Sequence, residues 1–143
     1  MFNVDTSYVI SDIFHDKEID CSYVSARYHR NGDPQKSQWT ISIEEELLSF
    51  ATSQENKWYD DDKGWGIHPT GALLEVGKLK TGEKVLIARF QKLEPTAHNQ
   101  WHGYPADIRG KTHDIPNDFV LTDWKNKKII LNHQFSKIRR GIL

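Results

Sequence analysis

The segment Trp101-His102-Gly103-Tyr104-Pro105-Ala106-Asp107 brings an indole, an imidazole, a phenol and a carboxylate within seven positions. His102 is the natural proton-transfer group among them, because an unperturbed imidazole titrates near pH ~6.5. Tyr104 is a second candidate for proton transfer. Arg89, near the end of the apolar run 84–90, is a candidate holder of an anion. Histidine, tyrosine and arginine together supply what metal-free cleavage of RNA requires. One group takes the 2′-hydroxyl proton, one protonates the leaving oxygen, and a cation stabilises the pentacovalent phosphate. The same residue types also build binding pockets. Trp101, His102, Tyr104 and Asp107, joined by Trp65 and His68 from the irregular stretch 58–71, would line a pocket for a flat ligand such as a base, a sugar or an aromatic metabolite.

Metal chemistry is a weaker match. His98 and His102 are four apart, a spacing that shares one face of a helix or a strand, with His113, His68 or Asp107 as a third ligand. Gly103 and Pro105 argue against the helix, and Cys21 is the only cysteine. Asp60-Asp61-Asp62 lacks the alternating ligands and the distant bidentate glutamate of a calcium loop, so it reads as a solvated loop tip. No phosphate-binding glycine loop, nucleophile elbow or zincin pattern is present. The expectation is therefore no metal and no cofactor. The favoured function is a small binding or interaction module, for a small molecule or a protein, with its pocket at residues 101–107. The alternative is a metal-free, histidine-dependent nuclease or hydrolase using His102, Tyr104 and Arg89.

These residues need a scaffold, and 143 residues suit one domain, 1–143. Five tryptophans and 11% aromatic residues give it material for a true core. Ser42-Ile43-Glu44-Glu45 forms a capping box ahead of Leu47, Phe50 and Ala51, which predicts a helix over 43–54. Val9, Ile10, Ile13 and Phe14 predict a helix within 5–15. Alternation at Ile19, Cys21 and Tyr23 predicts a strand over 18–30, ended by the turn Asn31-Gly32-Asp33-Pro34. Residues 38–41 suit a short strand and 71–76 a single helical turn. The run 84–90 suits a central strand buried on both faces. Pro116 suits a first helical position and Asn132 a cap, so two helices close the chain. The predicted class is α+β: a small antiparallel sheet of three to five strands packed by helices, with a C-terminal helical pair.

Residues 108–143 carry eight Lys/Arg against three Asp, a local +5 in a chain of net charge −1. With two short helices around Trp124, this gives a second alternative, a nucleic-acid binder in which Asn132, His133 and Gln134 read bases. The basic residues lie at the helix end, where they also suit its dipole, so a structural role is expected. No apolar run approaches the roughly 18–20 residues of a membrane span. The first residues show no secretory pattern and Cys21 has no disulfide partner, which together predict a cytoplasmic protein. A ring-rich domain of this size also suggests a homodimer.

The motif Trp101–Asp107, followed by Ile115-Pro116, Trp124 and Lys137-Ile138-Arg139-Arg140-Gly141, resembles a pattern in small uncharacterised bacterial proteins. Some of these travel on mobile elements, including integron gene cassettes. The resemblance covers about the C-terminal third. It implies a bacterial, cytoplasmic, stand-alone domain and assigns no activity, ligand or catalytic residue.

Overall fold

The structure is a computed structural model, and it describes residues 1–93 and 99–143. His98 lies outside the described residues. In chain order the elements are β1 (Ser7–Val9), α1 (Ile10–Ile13), β2 (Ser22–Val24), β3 (Gln38–Trp39), α2 (Ile43–Glu55), β4 (Tyr59–Asp60) and β5 (Lys63–Gly66). There follow β6 (Gly77–Lys78), β7 (Lys84–Val85), β8 (Ala88–Lys92), β9 (Gln100–Pro105), α3 (Asp118–Asn126) and α4 (Asn132–Arg139). The class is α+β. No described helix is long and apolar enough to cross a membrane.

The main sheet has six strands in the order β1-β2-β9-β8-β5-β4, and β3, β6 and β7 form a second sheet. The expected antiparallel sheet of three to five strands is thus exceeded, and one pairing departs from it. β2 and β9 run parallel, with Ser22 opposite Gln100 and Tyr23 opposite Trp101. The Trp101–Asp107 motif does not form a loop around its glycine and proline. Its first five residues belong to an interior strand, with Pro105 at the strand's end.

Several local expectations change for identifiable reasons. The apolar run 84–90 is two strands in two sheets. Lys84–Val85 pairs with β6, and after Leu86-Ile87 the chain enters the main sheet at Ala88. Val85, Ile87, Ala88 and Phe90 are all buried, so one unbroken pattern covers the crossing. The expected helix in 5–15 shrinks to the four residues of α1, because residues 7–9 pair with β2. The 18–30 strand keeps only Ser22–Val24, and Arg27–His29 is a 3-10 turn. Residues 71–76 hold no helix. The 58–71 stretch contains the β4–β5 hairpin.

α2 begins as the capping box requires. Ser42 Oγ accepts from the Glu45 N–H at 3.1 Å, and the Ser42 N–H donates to Glu45 Oε1 at 3.0 Å. It covers one face of the main sheet, where Phe50 packs on Tyr23, Phe90 and Trp101 at ring separations of 4.7, 5.2 and 5.8 Å. Beneath this layer Glu46 is fully buried. It accepts from Tyr23 Oη at 2.5 Å, Ser25 Oγ at 2.6 Å and Arg30 Nη2 at 2.7 Å. The opposite face meets a second core that includes Trp58, Trp65, Val120, Leu121, Trp124, Ile130 and Ile138. α3 and α4 therefore cap the sheet; α3 begins at Asp118 behind its cap Asn117, two residues after the expected start at Pro116, and Leu131 caps α4, one residue before the expected Asn132.

Candidate functional site

β9 divides the motif between the two faces of the sheet. Trp101, Gly103 and Pro105 alternate with His102 and Tyr104, and the first set is buried. Trp101 is 3% exposed and packs on Phe50 and Tyr59 in the core under α2. Gly103 is required by that packing. A Cβ there would sit 2.6 Å from both Tyr23 Oη and Phe90 Cδ1, closer than real atoms approach. Trp101 therefore does not share a pocket with His102 and Tyr104, and Trp101 and Trp65 lie on opposite faces.

His102 and Tyr104 face the other way, beside the 3-10 turn 27–29. The Tyr104 ring stacks on His29 with centroids 5.6 Å apart and planes at 23°. His29 is held from behind. Its Nδ1 lies 2.9 Å from the Ser37 carbonyl, which can only accept, so Nδ1 carries the proton and Nε2 is left as the basic nitrogen. The turn Asn31–Pro34 brings Ser37 back to this position. Asn31 and Asp33 accept backbone N–H groups two residues on, and Gly32 takes the left-handed φ of +77°. The adjacent Arg30 is pinned on Glu46, which fixes the turn carrying His29. No hydrogen bond joins either ring nitrogen of His102 to another described residue. Burial lowers the pKa of both imidazoles. For His102 the neighbouring His29 and Arg89 add to the effect.

Behind Tyr104 lies Asp114, fully buried. It accepts from Tyr104 Oη at 2.7 Å and from the Asp107 N–H at 2.8 Å. Arg89 Nε is 3.9 Å from its carboxylate and donates to the His113 carbonyl at 3.1 Å. The guanidinium also donates to the Phe90 carbonyl and to Gln91 Oε1, and it lies 5.4 Å from the Trp65 ring centroid. Arg89 is 1% exposed. Its charge balances Asp114 and it has no free face toward a ligand, so the expected anion holder is a structural counter-ion. Burial and the bond to Asp114 push the Tyr104 phenol well above its usual range. Tyr104 consequently keeps its proton and does not act as a base.

The space in front of these groups is a cleft of about 350 Å³, within the size range of small-ligand sites. His29, His102 and Tyr104 line it together with Lys36, Lys80 and Lys111. Lys111 Nζ is 6.0 Å from the Tyr104 ring centroid, and Lys36 Nζ is 5.6 Å from that of Tyr28. Asp107 lines the cleft too, but its Oδ1 is engaged by the Gly110 N–H at 2.9 Å. Asp114 is offset by Arg89, so the cleft is basic in a chain of net charge −1. A neighbouring groove of about 460 Å³ is lined by apolar residues such as Leu86, Ile108 and Leu143 and has no imidazole. Chemistry therefore places the candidate site in the smaller cleft.

No family model, curated protein or solved structure matches this chain.

Of the residues expected from sequence, His102, Tyr104 and Asp107 meet in the cleft, with Asp114 behind them and Arg89 one step further back. Trp65 is buried under Arg89, and its indole donates to the Asp114 carbonyl at 3.1 Å. His68 is elsewhere, near the start of α2. Its Nδ1 accepts from the Thr70 N–H at 3.2 Å, and its Nε2 is 3.8 Å from Glu45. Among the described residues no group of three or more His, Cys, Asp and Glu could hold a metal ion. His29, Lys36, Lys80, Lys111 and Asp114 were not expected. The only sequence signal for His29 is the 31–34 turn, which folds the following residues back on it. Lys36, Lys80 and Lys111 come from three separate loops and leave no local pattern.

Proposed function

We propose that this domain is a small ligand-binding module whose ligand is a phosphate ester seated between His29, His102 and Tyr104. The observation that carries this reading is the charge of the cleft: three lysines and two imidazoles line it in an otherwise slightly acidic chain. Lysine ammonium groups favour an anion as point charges. The two rings and the Tyr104 face offer flat apolar surface to the rest of the ligand. Cys21, the sole cysteine, is buried, and its thiol is pushed up to about 12, mainly by burial, which leaves it inert. We accordingly place the domain in a reducing cytoplasm.

The test is titration of the labelled protein with inorganic pyrophosphate and with a ribonucleoside monophosphate, followed by NMR. Resonances of His102, Tyr104 and Lys111 should move together and saturate. The double variant Lys36→Gln/Lys111→Gln should weaken binding about 10-fold or more, as expected for losing two charge contacts worth about 1 kcal/mol each. Shifts absent from the cleft at millimolar ligand would sink the reading.

A further inference from the structure

The cleft holds more than a phosphate ester needs for binding. Two imidazoles share its wall, one with an Nε2 freed by its backbone anchor and one without a hydrogen-bond partner among the described residues. At the rim the Tyr28 ring is 39% exposed and tilts against His29 at a centroid distance of 4.9 Å. An exposed ring beside a basic cleft is a stacking platform for an unpaired base. We infer that this domain cleaves single-stranded RNA without a metal, with His102 as general base and His29 as general acid. The inference rests on the phosphate-ester reading of the cleft and adds both the substrate and the reaction.

The step balances without a co-reactant. His102 takes the proton of a 2′-hydroxyl, and the 2′-oxygen forms a bond to the adjacent phosphorus. The bond from phosphorus to the 5′-oxygen breaks, and the protonated His29 gives its proton to that oxygen. The products are a 2′,3′-cyclic phosphate and a 5′-hydroxyl. One imidazole has gained a proton and the other has lost one, and exchange with solvent restores both. Lys36, Lys80 and Lys111 oppose the charge that builds on the phosphorane.

The division of roles follows from what surrounds each ring. His29 has the Ser37 carbonyl on Nδ1 and Asp33 nearby, both of which favour its cation. Burial, the largest influence on the ring, disfavours that cation, as do Lys36 and Lys111, whose charge a bound phosphate would neutralise. Burial disfavours the His102 cation most, and the facing His29 and Arg89 add to it, with no anchoring carbonyl among the described residues to offset them. The ring therefore stays neutral and available to accept a proton. Tyr104 touches neither reacting oxygen in this scheme. Held by Asp114, it is a positioning residue against which His29 stacks.

The experiment incubates the purified full chain with a short, end-labelled, mixed-sequence single-stranded RNA in EDTA. The expected products end in a 2′,3′-cyclic phosphate, and the rate follows a bell in pH. His102→Gln and His29→Asn should each lower the rate about 10²–10⁴-fold. His29→Asn retains an N–H for the Ser37 carbonyl, and thermal melting shows whether each variant is folded. The exposed tail variant Lys137→Gln/Arg140→Gln should cleave like the parent. An RNA carrying 2′-O-methyl groups should bind as the parent RNA does and remain intact. RNA that binds in the cleft but is not cut by the parent protein would overturn the catalytic inference and leave the binding reading standing. Failure to bind RNA, pyrophosphate or a nucleotide would overturn both. Cleavage that survives in a folded His102→Gln protein would overturn the assignment of roles.

Discussion

The two faces of the main sheet carry the same three groups in two different states. On one face Tyr23, Glu46 and Arg30 form a closed cluster under α2, with the arginine 2.7 Å from the carboxylate. On the other Tyr104, Asp114 and Arg89 form a looser one, with the arginine 3.9 Å away and the tyrosine ring facing an open cleft. Glu46 is satisfied by side chains alone and has no route to solvent. Asp114 is fully buried as well, yet its partner Tyr104 stacks on His29 at the surface of the cleft. A tyrosine–carboxylate–arginine set is a structural clamp where a helix roofs it. Where the covering helices leave the tyrosine ring partly open, the same set becomes the back wall of the cleft. The difference lies in what covers the tyrosine.

The largest effect that can break this comparison comes from the closed side. Glu46→Ala leaves the buried Tyr23 and Ser25 hydroxyls without their acceptor and Arg30 with only the Ile41 carbonyl and Ser25 Oγ, and should cost about 3–5 kcal/mol of stability in denaturant melts. A cost near zero would show that the cluster is not clamped. Asp114→Asn is expected to cost less, about 2–3 kcal/mol, because the amide keeps a carbonyl oxygen that can accept from Tyr104, and Arg89 keeps the His113 and Phe90 carbonyls. It should also weaken phosphate binding by loosening Tyr104. If Asp114→Asn proves as costly as Glu46→Ala, the distinction between clamp and back wall fails.

Acidity sharpens the same contrast. Both cleft imidazoles have folded-state pKa values held below the ordinary value of 6.5 by burial. The unfolded chain therefore binds those protons more readily than the folded one. The stability they contribute is fully present above about pH 6.5 and is lost as pH falls toward the folded-state values. Melting temperature should drop on the acid side, and His102→Gln should flatten part of that slope. Identical slopes in parent and variant would count against a desolvated His102. The smallest effect is expected at the tail. Arg139 pairs with Asp118 at 3.0 Å with both side chains well exposed, so replacing Lys137, Arg139 and Arg140 by Gln should change stability by less than about 1 kcal/mol. It should leave RNA and phosphate affinity unaltered. A steep loss of nucleic-acid binding in that variant would move the interface away from the cleft.

The sequence reveals local structure better than it reveals assembly. The α2 capping box and the closing helical pair are legible because a few adjacent residues decide them. The class α+β follows from the same elements. The parallel β2–β9 pair is not legible, because its partners lie far apart in the chain and neither strand carries a mark of the other. The motif points to the site through His102 and Tyr104, whose period of two places them on one face. The neighbouring Trp101 and Gly103 mislead for that very reason: ring content alone does not tell the core side of a strand from the open side. His29 is hidden by its own neighbourhood, since only the fold of the 31–34 turn and the grip of Glu46 on Arg30 make it part of a site.

The parallel pairing of Ser22 with Gln100 sets a timetable as well as a topology. During synthesis the segment bearing His29 emerges early, while the strand bearing His102 and Tyr104, and the turn bearing Asp114, emerge late. Closing so long a loop costs entropy before any contact repays it, so the last pairings of the main sheet form only when most of the chain is present. A nascent chain that stops short of Asp114 lacks part of the cleft's wall. The cleft is therefore complete only once the final third of the chain has docked.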